Sequence, residues 1–444
     1  MSLHTLIFGL GATGQSCLRY LHGQDRITVV DTRSEPPGLD DLRTVYPEAR
    51  YYCGALPDGV YAGVDRILVS PGIALDHPWL AEARAAGITL SGDVALFLSV
   101  CNAPVIGITG TNGKSTVTTL TAELLRAAGF NVAVGGNLGP PALDLLAADA
   151  EIYVLELSSF QLERLADKTL ALGAVLNVSS DHMDRYPDLA SYAACKQRIY
   201  QGARVAVFNR ADPLTEPPDS VSIRISVGLD QPPGDEDWGI LDDDGESWLC
   251  RGEEQILSLE QLAMTGRHNE FNAMAALALA AAAGADPRRG AELLRTFPGL
   301  PHRCELVRKR GGVRYINDSK ATNVGAAVAA LQGLGDPAHR SIVLIAGGDA
   351  KQADLTPLRE PVRRWVRELV LLGRDAPLLE QTLGDLCPVH KVADMDEAVA
   401  LAASLAASGD LVLLSPACAS LDMYTNFEAR GQAFADAVNA LEVA

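Results

Sequence analysis

One run constrains the fold of this chain more than any other: Pro104-Val-Ile-Gly-Ile-Thr-Gly110-Thr-Asn-Gly113-Lys114-Ser115-Thr116. An apolar strand breaks into glycines and resumes with Val117, Leu120, Leu124 and Leu125 at helical spacing. Extended and helical periods that succeed one another within a few residues belong in an α/β layer. The strict phosphate-loop pattern wants a glycine five positions before Gly113, where this chain has Ile108. The chemistry survives the departure. Backbone N–H groups of Gly110, Thr111, Asn112 and Gly113 can cradle phosphates, Lys114 supplies a point charge, and Ser115 or Thr116 offers a hydroxyl to Mg²⁺.

A related pattern opens the chain. The strand Leu6–Phe8 runs into Gly9-Leu-Gly11-Ala-Thr-Gly14 and a helix expected from Gln15 to about His22, and a second strand, Ile27–Val30, ends at Asp31. Glycines permit the tight turn, the helix N-terminus faces a phosphate, and an acidic residue about 20 positions on can meet a ribose. The competing reading is a turn that only packs a helix on a sheet. A further strand, Arg66–Val69, ends in Ser70-Pro71-Gly72, and near Gly92 the pattern restarts.

In the second unit the strand Ile152–Leu155 stops at Glu156, and Ala174–Val178 stops before Ser179-Ser-Asp181-His182-Met-Asp184. A carboxylate just past a strand beside a phosphate loop is where a magnesium ligand belongs, which singles out Glu156. His182, between two aspartates at a strand end, is a candidate for metal or phosphate contact. A helix over Ala190–Tyr200 carries Lys196, and an Ala-rich helix expected to reach Ala283 places Asn269 and Asn272 on one face near its start. A third unit begins near Pro298 and includes Arg303. Its strands Val313–Ile316, Ser341–Ala346, Val370–Leu372 and Leu411–Leu414 each end in a polar cluster, with helical stretches between them, which predicts a doubly wound parallel sheet. The expected fold is α/β in three domains: a Rossmann-like domain over 1–92, a central phosphate-loop domain over 93–298 and a second Rossmann-like domain over 299–444.

Length agrees, since 444 residues at about 100–200 per domain make roughly three domains. A net charge of −19 repels phosphate backbones and anionic headgroups, so neither nucleic acid nor a membrane surface is an expected partner. Much of the charge sits in the stretch Asp235–Glu246, which reads as a solvated hairpin or loop. Eight scattered cysteines form no C-x-x-C pair, and the N-terminus has neither a basic n-region nor a small-residue cleavage site, which predicts a reducing, cytoplasmic location. No apolar heptad or stripe stands out, so a monomer is expected.

The residues alone leave three readings open: an ATP-dependent ligase with a pocket for each of three substrates, a nucleotide-driven switch, and a dehydrogenase resting solely on Gly9–Gly14. Thr109–Thr116, the Glu156 strand end, Asp181–Asp184, Gly266-Arg-His-Asn269 with Asn272, and Pro301-His-Arg303 resemble the Mur ligase superfamily. The strings Gly9–Gly14, Asp31-Thr-Arg33, Ser70-Pro-Gly-Ile73, Glu156–Gln161, Asn317–Asn323 and Leu414–Asp422 narrow the resemblance to its D-glutamate-adding branch.

That resemblance implies ATP-dependent amide-bond formation between UDP-N-acetylmuramoyl-L-alanine and D-glutamate through an acyl phosphate, in cytoplasmic peptidoglycan precursor synthesis. Another Mur-type ligase with a different amino acid is the alternative. It implies UDP-substrate contacts from Thr13, Asp31, Thr32, Arg33, Ser70 and Gly72, with Asn137, Ser158 and Ser159 toward the reacting end. ATP would meet the phosphate loop, Asn269, Asn272, Arg303, Asp318 and Lys320; D-glutamate would meet Thr322, Lys351, Ser420, Leu421 and Phe427. Two Mg²⁺ sites are implied, one near Ser115 and Glu156, the other near His182 and a CO₂-derived carbamate on Lys196. Lys114, His182 and Lys196 would be the catalytic residues. The lysine distribution fits, because four of the seven lysines, Lys114, Lys196, Lys320 and Lys351, fall in these motifs.

Overall fold

The computed structural model describes residues 2–441 other than 184, 265 and 337, so Asp184 lies outside the described residues. Three sheets follow one another along the chain. The first holds β1 (His4–Phe8), β2 (Arg26–Asp31), β3 (Arg50–Cys53), β4 (Arg66–Val69) and β5 (Thr89–Ser91), all parallel, in the order β3-β2-β1-β4-β5. The chain reverses direction across the sheet at β1, and the crevice this leaves at the strand ends is where doubly wound sheets bind ligands.

The second sheet holds β6 (Val105–Thr109), β7 (Val132–Gly136), β8 (Ile152–Glu156), β9 (Leu172–Val175), β10 (Val205–Asn209), β11 (Ile223–Val227), β12 (Trp238–Asp243), β13 (Glu246–Arg251) and β14 (Glu254–Ser258), ordered β14-β13-β12-β11-β10-β9-β6-β8-β7. Because β6 lies between β8 and β9, the phosphate loop at its end is flanked by Glu156 on one side and by the segment leading to His182 on the other. The third sheet holds β15 (Glu305–Arg310), β16 (Val313–Asn317), β17 (Ile342–Gly347), β18 (Val366–Leu372), β19 (Val389–Lys391) and β20 (Leu411–Leu414), ordered β15-β16-β20-β17-β18-β19.

Several details differ from the sequence reading. The third sheet is parallel except for an antiparallel edge strand, β15. The first helix starts at Ala12, inside the glycine turn. β9 ends at Val175, although the apolar run continues to Val178. Its backbone is diverted to the phosphate loop: Asn177 accepts from the Thr111 N–H at 2.9 Å through its carbonyl and from the Asn112 N–H at 2.8 Å through its side chain. The acidic stretch forms a hairpin from Trp238 onward, with Asp235 and Glu236 exposed before it and Asp242 to Gly245 exposed at its tip. Asp244 and Gly245 both have positive φ and make the two-residue turn, whereas Trp238 is buried in the central core.

The Ala-rich helix, Arg267–Ala282, is apolar on every side beyond its polar first turns because it is covered there on every side. Ala273 to Ala280 are all buried, against the helix Lys114–Ala127 and the central sheet. In the first sheet the turn is equally tight: a Cβ on Gly14 would lie 1.9 Å from the Gly9 carbonyl oxygen. Gly14→Ala is therefore expected to push the helix off the sheet and cost about 1–3 kcal/mol, read as a lower thermal midpoint.

Candidate active site

The first cleft, of about 510 Å³, lies at the ends of β1, β2 and β4 and reaches the loop after β7. Thr13, Asp31, Thr32, Arg33, Ser70, Gly72 and Asn137 all line it. Asp31 is buried and fully engaged. It accepts the Leu10 N–H at 2.7 Å and holds the Arg33 guanidinium in two bonds of 2.9 and 2.8 Å, leaving Arg33 half-exposed toward the cleft. Burial acts to raise the Asp31 pKa, but the Arg33 side chain and the backbone N–H groups of Leu10 and Arg33 together outweigh it and lower the pKa. Ser158 and Ser159 do not line this cleft. Ser158 caps the helix Ser159–Leu162 in a reciprocal box with Gln161, and it is Gln161 that reaches the cleft wall.

Asn137 connects this cleft to the phosphate loop, since its side-chain amide donates to Glu156 Oε1 at 2.6 Å. The other carboxylate oxygen, Oε2, is buried and has no protein partner. Lys114 folds over the loop, donating to the carbonyls of Gly110 at 2.9 Å and Thr111 at 2.8 Å. Burial lowers its pKa against the opposing pull of Glu156. Lys196 is buried, its Nζ 4.4 Å from the centre of the Tyr192 ring, and it donates at 2.8 Å to the same Gly110 carbonyl. Two amines thus converge on one oxygen. Burial first, and Lys114 second, drive the Lys196 pKa well down. His182 has a left-handed backbone and packs edge-on against Phe160.

A second cleft of about 480 Å³ opens between the central sheet and the third domain, lined by Asn112, Gly113 and Thr116 on one side and Arg303, Asp318 and Lys320 on the other. Asn269 and Asn272 line it too and are bonded to one another at 3.1 Å. Arg303 crosses from the third domain to donate to Ser115 Oγ at 2.8 Å. Asn323, which the sequence reading did not put among the site residues, reaches Asn112 at 3.4 Å and Asp181 at 3.3 Å while capping its own helix. Burial pushes Asp318 up to about 7 and Lys320 down to about 8.

The residues expected to hold an amino acid sit at the ends of three adjacent strands: Thr322 after β16, Lys351 after β17, and Ser420, Leu421 and Phe427 after β20. An Asp349–Ala419 bridge ties the second loop to the third. Lys320 Nζ lies 3.7 Å from the centre of the Phe427 ring, so this crest adjoins the second cleft. Lys351 and Leu421 are exposed, and Ser420 is buried.

Comparison with known proteins matches this geometry domain by domain. The family model described as Mur ligase MurD-like, N-terminal domain, covers residues 3–92; the Mur ligase middle domain covers 108–280, and the Mur ligase glutamate ligase domain covers 302–418. The chain belongs to the Mur ligase family. Among its relatives are proteins named UDP-N-acetylmuramoylalanine--D-glutamate ligase, from Pseudomonas aeruginosa (51% identical over 98% of both chains) and Marinobacter nauticus (50% over 98% of both). The one from Legionella pneumophila is 46% identical over 98% of this chain and 99% of its own. Solved Mur ligases share the fold: a MurF ligase from Thermotoga maritima in complex with ADP aligns with a TM-score of 0.62 at 17% identity over 97% of each chain. A MurC from the same organism aligns at 0.61 and 17% over 99% of this chain and 100% of its own.

Among the described residues of this Mur ligase, no three His, Cys, Asp or Glu are gathered closely enough to hold a metal on protein ligands alone. A buried carboxylate oxygen without a partner, beside a phosphate loop and a serine hydroxyl, fits Mg²⁺ that completes its shell with phosphate oxygens and water. No helix among the described residues is long and apolar enough to cross a membrane.

Proposed function

We propose that this Mur ligase joins D-glutamate to UDP-N-acetylmuramoyl-L-alanine at the expense of ATP, as the names of its relatives at about 50% identity over nearly the whole chain describe for them. The observation that carries the reading is that the central domain's phosphate loop is joined on one side to the first cleft and on the other to the third domain. Asn137 links the first cleft to Glu156, and Arg303 links the third domain to Ser115. One substrate from each domain can therefore meet at the phosphate loop.

The UDP end occupies the first cleft, and the L-alanine carboxylate extends past Asn137 to the γ-phosphate of ATP. Phosphoryl transfer forms an acyl phosphate and releases ADP. The D-glutamate nitrogen, once its ammonium has lost a proton, attacks the acyl carbon; the C–O bond to phosphate breaks, phosphate leaves, and a second proton departs from nitrogen. A carboxylate must approach a polyanion, so charge neutralisation dominates the barrier. Lys114, Arg303 and Lys320 bring positive charge to that point, and Asn269 and Asn272 line the nucleotide cleft. Mg²⁺, held by Ser115 and Glu156 and at a second site by His182 and carbamylated Lys196, would supply further charge to the phosphates. The protein is read as a monomer of the cytoplasm, a compartment that supplies ATP and keeps its eight cysteines reduced.

The dehydrogenase reading predicts NAD in the first cleft. Calorimetry is expected to give saturable binding of UDP and none of NAD; the reverse would restore that reading. The amino-acid assignment is tested by phosphate release with ATP, Mg²⁺ and the UDP-substrate, expected with D-glutamate strongly over L-glutamate and D-alanine. Lys351→Ala should raise the D-glutamate KM by about tenfold, ~1.4 kcal/mol, since the second carboxylate loses its cation. Equal use of D-alanine by the wild type would refute the assignment. ATP hydrolysis that is equally fast without either co-substrate would favour the switch.

A further inference from the structure

The amino-acid crest contains a cation that the reaction described above does not use. Arg430 lies in the helix Phe427–Ala440 and is 2% exposed. Its Nε donates to Ser319 Oγ at 3.0 Å and its Nη2 to the Ser319 carbonyl at 2.8 Å. Its Nη1 reaches the carbonyls of Cys418 at 3.1 Å and Gly347 at 3.4 Å. Every one of these acceptors is neutral, and among the described residues no carboxylate forms an ion pair with it.

The three residues it grips stand at the ends of β16, β17 and β20, which are neighbours in the sheet. The same three loops carry Thr322, Lys351 and Ser420. Ser319 Oγ passes the contact on, donating to the Phe427 carbonyl at 2.8 Å. A single guanidinium therefore contacts all three loops, adding to the Asp349–Ala419 bridge between two of them.

Placing a guanidinium among neutral acceptors is costly, because water is lost and no counter-ion is gained. Arginine does not escape by shedding its proton: burial lowers its pKa to about 10, still above neutral pH. The acidic groups that oppose this from a distance are Cys418, Asp422, Tyr424 and Asp318; of the two carboxylates among them, burial already pushes Asp318 up to about 7, toward its uncharged form. A substrate with two carboxylates would bring the missing counter-charge to this crest.

We infer that Arg430 is a positioning residue for the amino-acid substrate, which fixes the three loops and, through its unpaired charge, selects a dicarboxylate over a monocarboxylate of the same shape. The inference rests on the amino-acid reading of this crest given above. It is tested with D-glutamate and its amide, D-glutamine, at saturating ATP and UDP-substrate. The readout is the ratio of kcat/KM, or of Ki where the amide is not turned over.

Arg430→Gln removes the charge and is expected to lower the preference for D-glutamate by roughly tenfold or more, with the ATP KM unchanged. Arg430→Lys keeps the charge but loses the fork, so KM rises for both ligands and the preference is retained. A purely structural residue would instead lose rate on both ligands in equal proportion in Arg430→Gln, and that outcome overturns the inference. Should neither variant fold, Ser319→Ala keeps the charge and cuts the link to Phe427. It is expected to raise the D-glutamate KM severalfold at constant ATP KM, and an unchanged D-glutamate KM overturns the inference. A wild type that releases no phosphate with D-glutamate refutes the amino-acid reading itself, and this is seen in the same assay before any variant is tried.

Discussion

Lys114→Ala is expected to lower ligase turnover by a factor on the order of 10³ or more, about 4 kcal/mol, while UDP still binds the first cleft with unaltered affinity. The loss follows from where the charge sits. Lys114 Nζ closes over the Gly110 and Thr111 carbonyls, and its removal takes a desolvated cation from the position at which the transferring phosphoryl group carries its charge. UDP binding is spared because Lys114 does not line the first cleft, whose walls come from β1, β2, β4 and the loop after β7. Steady-state phosphate release and calorimetric titration with UDP read the two effects separately. Loss of UDP binding in the variant would contradict the division of the ligands between domains.

The parts of this site that were legible in the sequence are those encoded locally. A strand that ends in glycines, a lysine and hydroxyls declares a phosphate loop whatever surrounds it, and Glu156 and His182 were singled out because they stand at or after strand ends. Contacts that depend on strand order were not legible. Asn177 sits 65 residues from Asn112, and only the placement of β9 beside β6 makes it the brace of the phosphate loop. The apolar run through Val178 therefore looked like strand, where the chain in fact spends those backbone groups on its neighbour. Trp238 was hidden by the acidic residues around it, because a hairpin can bury one end while its turn stays in water. Arg430 gave no signal at all, being one arginine among 30 in a helix with otherwise ordinary spacing. Gln161 did leave a trace, since Ser158 followed three residues later by a glutamine is a capping box. That pattern would have assigned Ser158 to the helix end and turned attention to Gln161 as the residue facing the first cleft.

Lys196→Arg is expected to be as damaging as Lys196→Ala, with turnover falling by a factor on the order of 10³ in each. If Lys196 acted as a buried structural cation, arginine would preserve the charge and most of the reach, and activity would survive. Burial and the neighbouring Lys114 outweigh the Tyr192 ring and the nearby carboxylates, which favour a cation. Lys196 shares the Gly110 carbonyl with Lys114, and burial together with that neighbour drives its pKa well down, favouring the neutral amine. A neutral amine adds to CO₂: the nitrogen lone pair forms the N–C bond, one C=O π pair moves to oxygen, and a proton leaves to solvent. The side chain then carries −1 where the ammonium carried +1, with two hard oxygen donors of the kind Mg²⁺ prefers. Guanidinium does not undergo this change at neutral pH, which is why the arginine variant discriminates. Short carboxylic acids should partly restore the alanine variant by occupying the space of the carbamate, and removal of CO₂ should slow the wild type if the group exchanges. Because a labile carbamate can be lost before mass analysis, the kinetic comparison is the stronger test, and an arginine variant with undiminished turnover would return Lys196 to a structural role.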